Sequence, residues 1–88
     1  MKKYLIKEIT TATENNKNFK DETRVYYIGK GGTPHYNEDY LTWYFKEYGF
    51  TTKAAATKAL KHYSESVNWF NNKYKTWRSV FEIIEKEI

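Results

Sequence analysis

A chain of 88 residues and 10.6 kDa makes one domain, residues 1–88, with a single core and little room for a deep active-site cleft. It carries a net charge of +4 and no cysteine, which excludes a disulfide scaffold, thiolate catalysis and thiolate metal sites. No run approaches the ~18 apolar residues of a membrane span, and Met1-Lys2-Lys3 leads into no secretory apolar stretch, so a cytoplasmic protein is expected.

In chain order, Tyr4 to Thr11 is rich in β-branched and aromatic residues and runs into the polar stretch Glu14 to Asn18, which predicts a strand followed by a loop. Thr23 to Ile28 predicts a second strand, paired with the first as a hairpin with a long connection. Residues 29–36 read as a loop, because Gly29, Gly31 and Gly32 permit positive φ and Pro34 disfavours a helix.

Residues 37–49 carry strand-type composition at Tyr40 to Phe45 but helical signals at both ends. Asn37 is placed as N-cap, Glu38 and Asp39 in the first turn, Leu41, Phe45 and Tyr48 at helical spacing, and Gly49 at the C-cap. The end signals favour a helix. After Thr51 and Thr52 an amphipathic helix follows, with Ala55, Ala56, Ala59, Leu60, Tyr63 and Val67 on one side and Lys53, Lys58, Lys61, His62 and Glu65 on the other. Asn68, Asn71 and Asn72 favour a break, and Trp77 to Lys86 is strand-like in composition. A competing seam, Val67, Phe70, Tyr74, Trp77, Phe81, Ile84 and Ile88, steps by three and four as a long helix would. A final strand over 77–86, preceded by a loop, is the reading adopted. The fold class is then α+β: a small antiparallel sheet, made of the N-terminal hairpin and a C-terminal strand, packed against one or two helices.

The chemistry-bearing residues are few. Gly29-Lys30-Gly31-Gly32 lacks the spacing and the terminal Lys-Ser/Thr of a phosphate loop, and a turn is expected there. His35 lies in the Gly/Pro loop and His62 on a lysine-rich helix face, with no nucleophile or acid set beside either. No His/carboxylate spacing suits a metal. No catalytic residue, metal or cofactor is expected, and the chain reads as a non-enzyme.

Binding signals are stronger. Residues 1–47 are net +1, residues 51–81 net +5, and the tail 82–88 net −2. Seventeen aromatic residues stand against twelve Leu, Ile and Val. Tyr26, Tyr27, Tyr36, Tyr40, Trp43, Tyr44, Trp69, Tyr74 and Trp77 exceed what one small core encloses, so part of this set is expected at the surface. Exposed rings anchor protein interfaces; beside cations they can stack on nucleobases while the cations meet phosphates. The candidate binding residues are the strand-and-loop set Arg24, Tyr26, Lys30, His35 and Tyr36, the helix set Lys53, Lys58 and Lys61, and Lys73, Lys75 and Arg78.

Taken together, Tyr4–Ile9, Val25-Tyr26-Tyr27-Ile28-Gly29, Gly49-Phe50-Thr51-Thr52-Lys53-Ala54-Ala55-Ala56 and Phe81-Glu82-Ile83-Ile84-Glu85 make an order of pieces that resembles small accessory proteins of phages and prophages, the kind that includes anti-CRISPR inhibitors. That resemblance implies an inhibitor or adaptor acting in the bacterial host cytoplasm by contact with a host protein or a protein–nucleic-acid complex. It carries over no functional residue. Many such inhibitors are acidic mimics of nucleic acid, and a charge of +4 departs from that pattern. The alternative reading is a small basic nucleic-acid-binding domain, and a homodimer is compatible with either.

Overall fold

The computed structural model of the chain describes residues 1–32, 34–36 and 38–88. Strand β1 (Lys2–Ala12) is followed by β2 (Thr23–Ile28), a 3-10 turn (Glu38–Tyr40), helix α1 (Leu41–Tyr48), helix α2 (Lys53–Tyr74) and strand β3 (Trp77–Glu87). The sheet order is β2-β1-β3, antiparallel throughout, so the first strand is the central one. This is the α+β architecture expected, with the N-terminal hairpin extended by the last strand.

Being central, β1 is paired along both edges; α2 lies over one face and α1 over part of the other, and the period-2 alternation of a strand decides what each face receives. Leu5 enters a cluster with Tyr27, Tyr44 and Phe45, under α1. Ile6 enters a second cluster with Ile28, Phe50 and Ala56, under α2. Both residues are fully buried, each contributing about 2 kcal/mol of transfer free energy.

Helix α1 begins after the 3-10 turn, so Glu38 and Asp39 precede it instead of forming its first turn. Asn37, the expected N-cap, lies outside the described residues. Tyr44 and Phe45 are the buried pair of this helix, and Tyr48 is exposed, which corrects the expected stripe. The reason is tertiary: the helix packs across the Leu5 side of the sheet, where Tyr44 meets Leu5 and Tyr27. Gly49 does cap the helix, its N–H donating to the Phe45 carbonyl, but in extended backbone (φ −64°). Glycine is needed for space there, because a Cβ would sit 2.3 Å from the Phe45 oxygen and 2.9 Å from the Lys3 Cβ.

Helix α2 opens on Thr52, whose side chain accepts from the Ala55 N–H at 3.1 Å. Its sheet-facing stripe is Ala56, Leu60, Tyr63 and Val67, with Ala59 beside it; Ala55 is exposed, because the helix is turned so that Ala56 meets the sheet. The expected loop at Asn68–Asn72 is a correction of a different kind, for the helix runs unbroken through all three asparagines to Tyr74. Its end is fixed by remote residues. Lys75 takes the left-handed conformation (φ 57°) and its N–H returns to the Asn71 carbonyl. Thr13 and Asn15 donate to the Lys75 carbonyl, and Asn16 donates to that of Thr76. The β1–β2 connection therefore clamps the turn between α2 and β3, and it does so from some sixty residues away in sequence.

Replacing Gly49 by alanine is expected to cost about 2 kcal/mol, since backbone must move to admit the methyl group. A lowered urea midpoint at unchanged slope is the measurement.

Candidate functional site

Continuing along the α2 side of β1 from Tyr4 and Ile6, the alternation places Glu8 and Thr10 beneath the helix. Glu8 is only 4 % exposed. Its Oε1 accepts from the Tyr63 hydroxyl at 2.7 Å and its Oε2 from the Ser79 hydroxyl at 2.8 Å. Ser79 Oγ also lies 3.0 Å from Thr10 Oγ1 and accepts from Asn71 Nδ2 at 3.1 Å. A serine has a single hydroxyl proton. Given to the carboxyl oxygen, it leaves Ser79 accepting from both Asn71 and Thr10, and the chain of hydrogen bonds runs one way towards Glu8. Among the described residues the ion pairs are those of the Met1 ammonium, Lys2, Lys7 and Arg24, and none of these reaches Glu8.

Around this network α2 and strands β1 and β2 leave a cleft of about 440 Å³. Glu8, Thr10, Tyr63, Asn71 and Ser79 supply polar groups on one side; Phe19, Tyr26, Tyr36 and Trp77 supply rings on the other. Tyr26 and Tyr36 meet edge to face at 5.2 Å. Arg24 lies at the rim with its guanidinium 4.7 Å from the Phe19 ring centre and 4.9 Å from that of Trp77, held by a 2.6 Å ion pair to Glu22. A larger, more polar hollow of about 800 Å³ adjoins Asn71 and reaches Asn15, Asp21, Lys75 and Arg78.

The opposite side of the sheet carries a second feature. The His35 ring stacks on Tyr44 at 4.6 Å, and with Lys30, Trp43 and Tyr48 the two line a slot of about 290 Å³. Tyr27, whose backbone pairs with His35, donates its hydroxyl to Glu38 at 2.7 Å. Burial, then the Glu38 carboxylate, pushes the Tyr27 hydroxyl up to about 12. Burial also raises Tyr44, opposed by the Gly29 N–H that its oxygen accepts, and burial followed by Glu8 raises Tyr63.

The predicted binding residues therefore fall into separate places. Arg24, Tyr26 and Tyr36 come together at the cleft, whereas Lys30 and His35 line the slot on the other face, so the strand-and-loop set divides across the sheet. Lys53, Lys58 and Lys61 are exposed along the first half of α2. Lys73 sits 5.0 Å from the Trp69 ring and 5.4 Å from that of Tyr74, while Lys75 and Arg78 border the polar hollow. Lys53 and Lys73 are twenty residues apart on one helix, about 30 Å, so the basic segment does not gather into one patch. Glu8, Tyr63 and Ser79 were not among the predicted site residues. The signal for Glu8 lies in its position, an acid continuing the inward-facing alternation Tyr4, Ile6 of a strand flanked on both sides.

Among the described residues no group of three His, Cys, Asp or Glu could hold a metal ion, and no helix is long and apolar enough to cross a membrane. Comparison with protein-family models, with curated proteins and with solved structures found no match to this chain.

Tyr63→Phe keeps the ring against Phe81 but leaves Glu8 short of a donor, and is expected to lower unfolding free energy by about 2 kcal/mol. Tyr40→Phe, at an exposed ring, stays within about 0.5 kcal/mol in the same denaturation assay. Tyr27, Tyr44 and Tyr63 all hold their protons more tightly when folded. Their contribution to stability is therefore full below pH 10, the ordinary tyrosine value, and is lost as pH rises towards 12, where Tyr27 titrates. Each such group contributes up to about 1.4 kcal/mol per pH unit, so Tyr27→Phe flattens the alkaline fall in denaturation midpoint.

Proposed function

We propose that this chain is a non-enzymatic binding protein that grips a macromolecular partner, a host protein or a nucleoprotein complex, through its exposed rings. One observation carries the reading. Of twelve Tyr and Trp only Tyr27 and Tyr44 are buried, while six remain exposed, from 42 % at Tyr48 to 69 % at Tyr36. These rings are grouped. Tyr40, Trp43 and Tyr48 belong to α1 and its approach, and Trp69, Phe70 and Tyr74 to the last turns of α2. Phe70 and Tyr74 continue, at steps of three and four, the stripe in which Ala56 is buried and Tyr63 and Val67 are half-buried, yet each is about half exposed. An apolar helix stripe that outruns its cover, and rings beside Lys30 and Lys73, suit a contact surface with large area and little rotamer freedom to lose.

The resemblance to small phage and prophage accessory proteins supplies the class of role, an inhibitor or adaptor. The nucleic-acid reading draws support from the Lys73–Trp69–Tyr74 contact, but the spread of the lysines along some 30 Å of helix favours a protein surface.

Affinity capture from bacterial lysate, with and without nuclease, tests this reading. A stoichiometric, nuclease-resistant protein is expected, lost at least tenfold with Trp43→Ala or Trp69→Ala, both at exposed rings. Recovery of nucleic acid alone, with oligonucleotide affinity falling steeply as salt rises, would overturn it.

A further inference from the structure

The structure points to a cation-binding site: we infer that the cleft above Glu8 receives an ammonium or guanidinium group on an alkyl stem, supplied by a Lys or Arg side chain of the partner. The source of the cation rests on the binding reading above; the site itself stands on its own geometry.

Glu8 is the acid in question, nearly sealed from water and unpaired with any basic side chain among the described residues. Its two oxygens receive one hydroxyl each, from Tyr63 and Ser79, whereas a carboxylate offers about four acceptor positions. Among the described residues each oxygen has one neutral donor and no positive charge beside it, and a cation entering the adjoining space would supply that charge and use the remaining acceptor positions. The space exists: the cleft of about 440 Å³ has Glu8 on its polar side and falls within the size range of small-ligand sites.

The rest of the lining selects for the same chemistry. Tyr26, Tyr36 and Tyr63 also line it, and aromatic rings attract cations and accommodate methylene groups. The cleft already shows this behaviour once, since Arg24, one of its lining residues, lies over both the Phe19 and the Trp77 rings. That guanidinium is engaged by the Tyr26 hydroxyl, by Glu22 and by those two rings, and it forms no ion pair with Glu8, so the carboxyl is left for a second cation. An anionic ligand would meet the Glu8 carboxyl and gain nothing from the ring faces.

The test is an amide NMR titration of the whole chain with Nα-acetyl-lysine methyl ester, Nα-acetyl-arginine methyl ester and the uncharged Nα-acetyl-norleucine methyl ester. Saturable shifts at Thr10, Tyr26, Tyr63 and Ser79 are expected with the two cations, with norleucine at least tenfold weaker. Glu8→Gln should weaken the cations tenfold or more and Tyr36→Ala several-fold, while Lys53→Ala leaves them unchanged. Equal affinity for norleucine, no saturable shift, or undiminished binding by Glu8→Gln would overturn the inference. Should Glu8→Gln not fold, the norleucine comparison on the natural chain and Tyr36→Ala, at an exposed ring, decide the matter. Cation binding without capture of a protein would uphold the cleft while removing the binding reading. Protein capture through Trp43 or Trp69 without cation binding would do the reverse.

Discussion

Strand β1 has no free edge, and that constraint organises everything else in the molecule. β2 and β3 are hydrogen-bonded along its two edges and α2 lies along one face, while α1 covers the other around Leu5 and leaves Lys7, Ile9 and Thr11 half-buried, so the polar groups of the α2 face must be satisfied internally. Leu5 and Ile6, adjacent in sequence, seed opposite clusters, so the domain has two thin cores separated by one layer of backbone. In so small a chain this divides the apolar material, and each cluster has to be completed by residues from far along the sequence: Tyr44 and Phe45 on one side, Ala56 and Phe50 on the other.

The same constraint explains how Glu8 comes to be buried. Glu8 could reach the more open α1 face only by a one-residue shift of register, which would put Lys7 under α2 and exchange Leu5 and Ile6 between the two clusters. The carboxyl is instead met by hydroxyls from α2 and β3, and a polar network of Tyr63, Ser79, Thr10 and Asn71 forms within an otherwise aromatic surround. Asn71, whose composition argues for a break in the helix, spends its side chain on Ser79, and the helix passes through it intact.

Rings do two jobs in this protein. Tyr27 and Tyr44 take the place of scarce aliphatics inside, each with its hydroxyl engaged, on Glu38 and on the Gly29 N–H respectively. Phe45 and Phe50 are also buried and Tyr4, Tyr26, Tyr63 and Phe81 pack against the second cluster, while most of the exposed rings gather at α1 and at the end of α2. The two ring-lined features lie on opposite faces of the sheet, so a partner that covers the α1 slot leaves the Glu8 cleft accessible from the other side.

Much of the backbone was legible from residue order. Thr23–Ile28 is a strand with the boundaries its β-branched and aromatic run suggests, the Trp77 segment is the closing strand, and Thr52 followed by alanines starts a helix. Those features are local: propensity, capping and period act within a few residues. Sequence likewise determined that rings would outnumber the interior, since that is a matter of counting. Tertiary structure alone decided the phase of α2, its length, and the company each binding residue keeps. Ala56 and not Ala55 faces inward because of where Ile6 and Ile28 lie; the helix ends at Tyr74 because Thr13, Asn15 and Asn16 hold the turn beyond it; and Arg24 and Tyr26 part from His35 because neighbouring strands hand alternate side chains to different faces. Each of these is settled by contacts between residues distant in the chain, which no short-range pattern encodes.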